Sequence, residues 1–283
     1  MTAWTRARLD STLTDDRWRV AYVHIPKTGG TSIGRALARA GVAACVVMTS
    51  STGLQGCGST FTSRLMRMQQ TRVIIAERPY VDVQRYVQPT GHNKWLFVAV
   101  VREPRSWFYS AVAQWCLGTG VGRRSLRCQE GTTVHDLLRA GWFKPLQPRR
   151  LHRPRNDSDP SRDGYLPYFA LANEQSNHLG AIWHEPNFLI CSIERISSIA
   201  SALGEVLEGN QHLLARRHDH QLTVRWSRSA AYQRSVEWDE LRRYYLLDAG
   251  LHSYVNRSGC VAHSVDPVLR QRLETAIAPV KWL

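Results

Sequence analysis

Apolar residues occur along the chain both as short continuous runs and as longer segments with helical spacing. Two runs, residues 20–25 and 94–101, contain few polar positions, as strands do when a parallel sheet buries both of their faces. Helical spacing follows both runs, as far as Gly41 after the first and over residues 104–117 after the second, and glycine suits a helix end. The pattern therefore predicts two units of strand followed by helix.

The rest of the chain continues this alternation without an internal repeat. Further strands are predicted at residues 42–48, 72–76 and 188–193, and helices at residues 61–68, 132–140, 166–179, 197–207 and 236–255. A segment rich in Ser, Thr and Gly, residues 49–59, predicts a loop. Alternating strands and helices predict an α/β fold with a central, mainly parallel sheet flanked by helices. At 283 residues, we expect one domain over residues 1–283 rather than two small ones.

The first predicted strand leads into the segment HIPKTGGTS, residues 24–32. Two adjacent glycines allow the backbone to bend so that successive N–H groups point into one concavity, and the helix that follows adds its positive N-terminal end. Lys27 adds a full positive charge, while the hydroxyls of Thr31 and Ser32 can cap the helix or bind phosphate oxygens. The segment therefore predicts a phosphate-binding turn; an ordinary strand-to-helix turn with a solvated lysine is the alternative.

The order of residues in this turn differs from that of a Walker A loop. In the pattern GxxxxGK[ST] the lysine follows the glycines, and the hydroxyl residue serves Mg²⁺. Here Lys27 precedes Gly29 and Gly30, and GxxxxGK[ST] occurs nowhere in the chain.

The second continuous run ends in Arg102, Glu103 and Pro104. Proline suits the first turn of a helix, and the helical spacing predicts an inner side formed by Trp107, Phe108, Ala111 and Val112. Arg102 is then expected at the carboxyl edge of the sheet, where open α/β folds bind ligands, with Ser110 on the helix turned toward the strand ends. A guanidinium and a hydroxyl in this arrangement predict a second phosphate site. A Mg²⁺-dependent nucleotide hydrolase would need an aspartate at such a strand end.

Together, HIPKTGGTS and VVREPRSWFYS resemble the two nucleotide motifs of the sulfotransferases that use 3′-phosphoadenosine 5′-phosphosulfate. The similarity is greatest to the branch that contains heparan sulfate 2-O-sulfotransferase. It implies a three-layer, P-loop-type fold, adenosine 3′,5′-bisphosphate as the nucleotide product, and no required metal. It also implies that the 5′-phosphosulfate is held by Lys27, Thr28, Gly29, Gly30, Thr31 and Ser32, and the 3′-phosphate by Arg102 and Ser110.

Weaker similarities to the same family cover much of the remaining chain. Residues 173–180 resemble its Asn-x-Gln-Ser/Thr-x-x-Leu-x-Gly stretch, residues 188–195 its late strand, and residues 241–254 its closing helix, with Asp248 as the aspartate of that helix. The chain departs from the family at Trp107, where relatives often have arginine or another polar residue. We expect Arg105 to replace that contact.

The resemblance and the charges together predict the catalytic residues of an O-sulfotransferase. Lys27 would neutralise the charge that develops on the leaving phosphate oxygen. Glu77 is the first candidate for the base that activates an alcohol, because it ends the predicted strand between the two nucleotide-binding strands. A salt bridge from Glu77 to Arg78 or Arg72 is the alternative. His92 and His24 are reserve candidates, His92 being in a solvated turn and His24 being expected as a structural histidine.

The net charge of +14 requires more than a nucleotide site to explain it. Much of the excess lies in a proline- and arginine-rich segment, residues 144–164, which is too polar for a core element and predicts a surface loop. It is either functionally idle or attracts an acidic acceptor, such as a uronic-acid glycan. The resemblance to the sulfotransferases implies an acceptor with a hydroxyl on a carbohydrate or another alcohol, and the sequence leaves its identity and the oligomeric state open.

Two rival functions are consistent with part of the sequence. A P-loop kinase would use a similar turn with ATP and Mg²⁺, but it would need the other lysine order and an acidic strand end. A nucleic-acid-binding protein would explain the basic charge, yet no recognition helix, zinc finger or aromatic RNA-binding motif organises it. We therefore expect no nucleic-acid partner.

Cysteine use and hydropathy bear on the cellular compartment. The six cysteines show no C-x-x-C spacing and no zinc-type grouping, which predicts buried free thiols; Cys116 and Cys128 could pair in an oxidising compartment. The apolar runs are too short for a membrane span, and the first twenty residues lack a signal-peptide core. A soluble, cytoplasmic protein is expected, with the Golgi lumen or secretion as the alternatives if an anchor was removed.

Overall fold

A computed structural model of the chain describes residues 17–39, 44–47, 71–76, 80–88, 94–117, 174–207, 238–239 and 241–283. Packing divides the chain into two compact units. The first unit comprises Met1–Val101, His178–His218 and Tyr254–Leu283, and the second comprises Arg102–Asn177 and Asp219–Ser253.

Seven strands of the described residues form one sheet in the first unit. They are β1 (Arg19–Val23), β2 (Ala44–Val47), β3 (Val73–Ala76), β4 (Trp95–Val101), β5 (Asn187–Ser192), β6 (Cys260–Ser264) and β7 (Lys281–Trp282). Their order across the sheet is β2-β3-β1-β4-β5-β6-β7. Every neighbouring pair is parallel except β5 and β6, which are antiparallel. The expected α/β fold with a mainly parallel central sheet is confirmed.

Seven α-helices lie within the described ranges. They are α1 (Gly30–Arg39), α2 (Tyr80–Val87), α3 (Pro104–Leu117), α4 (Glu174–Leu179), α5 (Ile196–Val206), α6 (Leu246–Ser258) and α7 (Pro267–Ala276). Short 3₁₀ turns occur at Ile182–His184, Ile193–Arg195 and Arg242–Tyr245.

Helices cover both faces of the sheet in the first unit. Alternate residues of β4, including Leu96 and Val98, belong to one buried cluster with apolar residues of α1, α5 and α7. The intervening Phe97 instead meets the ring of Tyr80 from α2, with ring centroids 5.5 Å apart. Because both faces are covered, β1, β3, β4 and β5 are buried at every position. This explains why their sequences are continuous apolar runs.

The connections of the strands define a switch point in the sheet. From β1 the chain continues to β2, toward one edge of the sheet, whereas from β4 it continues to β5, toward the opposite edge. β1 and β4 are parallel neighbours, with Val23 opposite Ala99. Open α/β sheets bind ligands beyond the carboxyl ends of the strands at such a point. The segment that follows β1 therefore lies at the edge where a ligand is expected.

Aromatic side chains form the described core of the second unit. The ring of Tyr245 lies 6.3 Å from that of Trp107, 6.2 Å from that of Phe108 and 5.6 Å from that of Trp238. Trp107, Phe108 and Ala111 are fully buried, as the helical spacing of residues 104–117 predicted.

The predicted elements that fall on described residues agree with the structure to within one to three residues at most boundaries. β1 ends earlier than predicted, because the N–H of Ile25 turns back to the carbonyl of Val23. The predicted helices at residues 61–68 and 132–140 and the loops at residues 49–59 and 144–164 lie outside the described residues. The prediction of one domain over residues 1–283 stays a prediction.

Four elements, α2, β6, α7 and β7, were not predicted from the sequence. The start of α7 carries a readable signal: Asp266 caps the helix, its Oδ1 accepting from the N–H of Leu269 at 2.8 Å, and Pro267 occupies the first turn. β7 contains two residues, which is too short for a periodicity to be recognised. In β6 only the first three of five residues are apolar and buried, so its apolar run is shorter than that of a typical strand.

The expectation of free thiols is wrong for two cysteines. Cys191 of β5 and Cys260 of β6 are joined by a disulfide, with their Cα atoms 4.1 Å apart. They stand opposite each other in the register of the two strands. Their separation of 69 residues along the chain hid the pair from an analysis of local spacing. A bond between Cys116 and Cys128 stays a prediction, because Cys128 lies outside the described residues.

None of the described helices combines the length and the apolar character needed to cross a membrane.

Candidate functional site

The turn between β1 and α1 combines two positive φ angles with the N-terminus of a helix. Lys27 and Gly29 have positive φ angles of 67° and 94°. The first helical bonds of α1 run from the N–H groups of Ser32 and Ile33 to the carbonyl of Gly29, at 2.9 and 3.2 Å. The N–H groups before them lie in the first turn, where a helix provides no internal acceptor. Their donors and the helix dipole together favour a bound oxyanion.

Each glycine of the turn is required for a different reason. Gly29 adopts a backbone conformation that other residues rarely adopt, and a Cβ there would lie 2.6 Å from Cδ1 of Ile196. Gly30 has an ordinary helical backbone, but its Cβ would overlap the imidazole ring of His24. The double glycine thus permits both the bend and the close approach of the turn to buried side chains.

Lys27 is held in a conformation that is unfavourable for lysine. The left-handed region costs a residue with a Cβ about 1–2 kcal/mol. Beside it, Thr28 is fully buried and fixes the turn by donating from Oγ1 to the carbonyl of Ile25 at 2.7 Å. The lysine itself is half-buried. Strain of this kind is found at functional sites, where the surrounding structure maintains it.

His24 forms the buried floor of the turn. Its side chain is 4% exposed, and its ring stacks on that of Tyr22 with centroids 5.8 Å apart. Burial, and then the neighbouring charges of His178 and Lys27, lower the pKa of His24 to about 3. Among the described residues, Nδ1 of His24 has no hydrogen-bond partner. An imidazole with so low a pKa is neutral and weakly basic at pH 7, so this reserve candidate is disfavoured as the general base.

Arg102, predicted to bind the 3′-phosphate, is the first residue of the second unit. Arg102 follows β4 directly and is half-buried. The N–H of Arg102 donates to Oε1 of Gln175 at 2.7 Å, and Nε2 of Gln175 donates to the carbonyl of Arg102 at 2.8 Å. The next residue, Glu103, caps α3 by accepting from the N–H groups of Arg105 and Ser106. Hydrogen bonds therefore fix the backbone of Arg102 and the start of the helix that follows it.

The other predicted ligands on α3 differ in environment. Ser110 is buried, with 3% of its surface exposed. Trp107, at the position where relatives often have a polar residue, is fully buried beside Tyr245, which assigns it to the core of the second unit. Arg105 is half-buried, with Cζ 5.9 Å from the ring of Tyr109. Its replacement of the missing polar contact stays a prediction.

The remaining candidates for the general base are Glu77 and His92. Glu77 follows the last residue of β3 in sequence, and both it and His92 lie outside the described residues. Arg72, one alternative partner of Glu77, donates to the carbonyls of Leu207 and Trp18 at 2.5 and 3.2 Å.

Sequence reasoning gave no role to Gln175 or Asp248. The stretch that contains Gln175 and the helix that contains Asp248 were matched to a family pattern, but the pattern alone does not reveal that both are fully buried. Their contacts join residues that are 73 positions apart, which only the folded chain brings together.

Comparison of the sequence with protein-family models and with curated proteins finds no match.

Proposed function

We propose that the chain is an O-sulfotransferase that moves the sulfuryl group of 3′-phosphoadenosine 5′-phosphosulfate to a hydroxyl of an acceptor. The observation that carries this proposal is the turn at residues 27–32, in which a strained lysine and two sterically required glycines precede a helix at the switch point of the sheet. These residues fit an anionic group, because they offer N–H donors, a helix N-terminus and an ammonium group together.

The nucleotide and the protein contribute different parts of the transfer reaction. The donor nucleotide would supply an activated sulfuryl group and a phosphate leaving group. Lys27 and the N–H groups of residues 29–31 stabilise negative charge on the leaving phosphate oxygen, whereas the N–H of Ser32 is taken by the carbonyl of Gly29. As in phosphoryl transfer, most of the acceleration then comes from positioning and from charge stabilisation.

Arg102 and Ser110 are proposed to bind the 3′-phosphate. A guanidinium can form two parallel hydrogen bonds to a phosphate, and a serine hydroxyl can add a third. The support for this assignment is the anchoring of the Arg102 backbone by Gln175 and the position of the arginine directly after a central strand.

Glu77 is proposed as the base that removes the proton of the acceptor hydroxyl. The strand before it, β3, does not lie between the two nucleotide-binding strands as predicted, because β1 and β4 pair directly. β3 borders β1 on its other side, with Ala76 opposite Val23. With His24 disfavoured by its low pKa, His92 is the remaining alternative. The acceptor is proposed to be a carbohydrate or another alcohol, and the net charge of +14 favours an acidic one.

A nucleotide kinase is the second candidate function, because its phosphate site would also use a glycine turn before a helix. It is less well supported, since Lys27 precedes the glycines and arginine rather than aspartate follows β4.

Calorimetry with three ligands tests the proposal against its rivals. Adenosine 3′,5′-bisphosphate should bind without added metal and more tightly than ATP with Mg²⁺ or a DNA duplex. A preference for ATP with Mg²⁺ would select the kinase, and a preference for DNA would select a nucleic-acid-binding function. Mass spectrometry of an acceptor library incubated with the donor should then reveal products heavier by one sulfuryl group.

Cytoplasmic location also stays a proposal. The disulfide between Cys191 and Cys260 is typical of oxidising compartments, so it favours the lumenal or secreted alternative. Alkylation of the native chain followed by peptide mass analysis would show whether these two cysteines are bonded in the cell.

A further inference from the structure

The backbone of Arg102 is clamped by one side chain. Gln175 accepts from the N–H of Arg102 at 2.7 Å and donates to its carbonyl at 2.8 Å. Gln175 is completely buried. β4 ends at Val101 and α3 begins at Pro104, so Arg102 belongs to neither element. The glutamine amide supplies the donor and the acceptor that a neighbouring strand would otherwise supply.

Gln175 is itself fixed by a carboxylate. Asp248 of α6 accepts from the N–H of Gln175 at 3.2 Å and from the N–H of Ser176 at 2.7 Å. It also accepts from the hydroxyl of Ser176 at 2.6 Å. Asp248 therefore caps the first turn of α4 from another helix, in the way that an N-cap side chain does from the helix itself. Its complete burial removes competition from water.

We propose that Gln175 and Asp248 are positioning residues for the anion site of Arg102. They act in series: Asp248 fixes the first turn of α4, Gln175 on that turn fixes the backbone of Arg102, and the guanidinium is thereby aimed at the 3′-phosphate. This inference rests on the proposed function. The clamp has a specific chemical requirement, because leucine offers neither hydrogen bond and glutamate in its charged form offers no donor.

Two nucleotides that differ only in the 3′-phosphate isolate the effect. We would measure Kd by calorimetry for both nucleotides and, for each variant, divide the Kd of adenosine 5′-phosphate by the Kd of adenosine 3′,5′-bisphosphate. In the unaltered chain the bisphosphate should bind more tightly. Gln175→Leu should weaken bisphosphate binding about tenfold, which corresponds to the loss of one to two net hydrogen bonds. Binding of adenosine 5′-phosphate should stay within about twofold, because that ligand engages only the turn at Lys27.

A matched control and a second variant separate positioning from general damage. Gln84→Leu removes a glutamine of α2 that donates to Glu185 at 3.0 Å in the first unit, and it should leave the Kd ratio unchanged. Asp248→Asn keeps the size of the side chain and should lower the ratio in the same direction as Gln175→Leu. In an Arg102→Ala background, Gln175→Leu should change the ratio no further.

The outcomes distinguish this inference from the proposed function. If the unaltered chain does not discriminate between the two nucleotides, the proposed function fails. If the unaltered chain discriminates and Gln175→Leu preserves the ratio, the positioning role is wrong. An equal loss for both nucleotides would also overturn it, since it would indicate a purely structural role. Should Gln175→Leu not fold, Asp248→Asn decides between the same outcomes, and an unchanged ratio in that variant refutes the inference.

Discussion

Substituting Gly30 by alanine should destabilise the first unit, although alanine is the better helix former. In an open helical position this change stabilises by about 0.5–1 kcal/mol. At Gly30 the new Cβ would overlap the ring of His24, whereas carbon atoms normally approach no closer than about 3.5 Å. The ring or the start of α1 must therefore move by on the order of 1 Å within a buried site. Overpacking of this kind costs about 1–3 kcal/mol, so we expect a net loss of about 1–2 kcal/mol in the free energy of unfolding.

The chain offers a matched control in another helix. Gly250 lies in α6, is exposed, and its Cβ would meet nothing within 4 Å. Gly250→Ala should therefore stabilise by about 0.5–1 kcal/mol. Urea unfolding followed by circular dichroism measures both changes, and the two should have opposite signs.

A double-mutant cycle with His24→Ala identifies the cause. With the imidazole removed, Gly30→Ala should lose its penalty, which gives a favourable coupling of about 1 kcal/mol or more between the two substitutions. The reasoning is refuted if Gly30→Ala and Gly250→Ala stabilise equally. It is also refuted if Gly30→Ala is equally harmful with and without the ring.

The remaining predictions concern charge, the disulfide and catalysis. Folded His24 has a pKa of about 3 against an ordinary value of 6.5, so between these pH values only the unfolded chain takes up this proton. The contribution of neutral His24 to the free energy of unfolding is complete above pH 6.5 and falls toward pH 3 by about 1.4 kcal/mol per pH unit. In urea unfolding, His24→Phe should remove this pH dependence. An unchanged slope of stability against pH would contradict the low pKa of His24. Replacing both Cys191 and Cys260 by alanine opens a loop of 69 residues and should cost about 4 kcal/mol, whereas an unchanged unfolding midpoint would show that the bond does not form. Lys27→Ala should lower turnover about a hundredfold or more while changing nucleotide affinity only a few-fold; retained turnover would make Lys27 a spectator. Glu77→Gln should abolish the acidic limb of the pH–rate profile, and full activity at all pH values would exclude Glu77 as the base.

Local sequence was sufficient to predict the central part of the fold. The apolar run of β4 is continuous because the sheet buries both faces of that strand, and Pro104 starts α3 as its fixed φ angle favours. The turn after β1 was also predictable from local sequence, because adjacent glycines at the start of a helix permit a sharp bend of the backbone. These features depend on neighbours in the chain, and sequence patterns record such neighbours directly.

Features that depend on distant residues were not predictable in this way. The positive φ of Lys27 is imposed by its surroundings and not by its own preference. The Cys191–Cys260 bond depends on an antiparallel pairing of β5 with β6, and β6 was not predicted. Gln175 gives no sign in the sequence that its amide serves the backbone of Arg102, because a buried glutamine and a solvated one look the same in a sequence.

The imidazole of His24 occupies the space that a Cβ at Gly30 would need, and this has an evolutionary consequence. Positions 24 and 30 share one fixed volume, so the residue allowed at one depends on the residue present at the other. In descendants of this chain, a small side chain at position 24 should appear before or together with any larger residue at position 30. Selection can therefore retain glycine at position 30 because the ring of His24 fills the space that a side chain there would need.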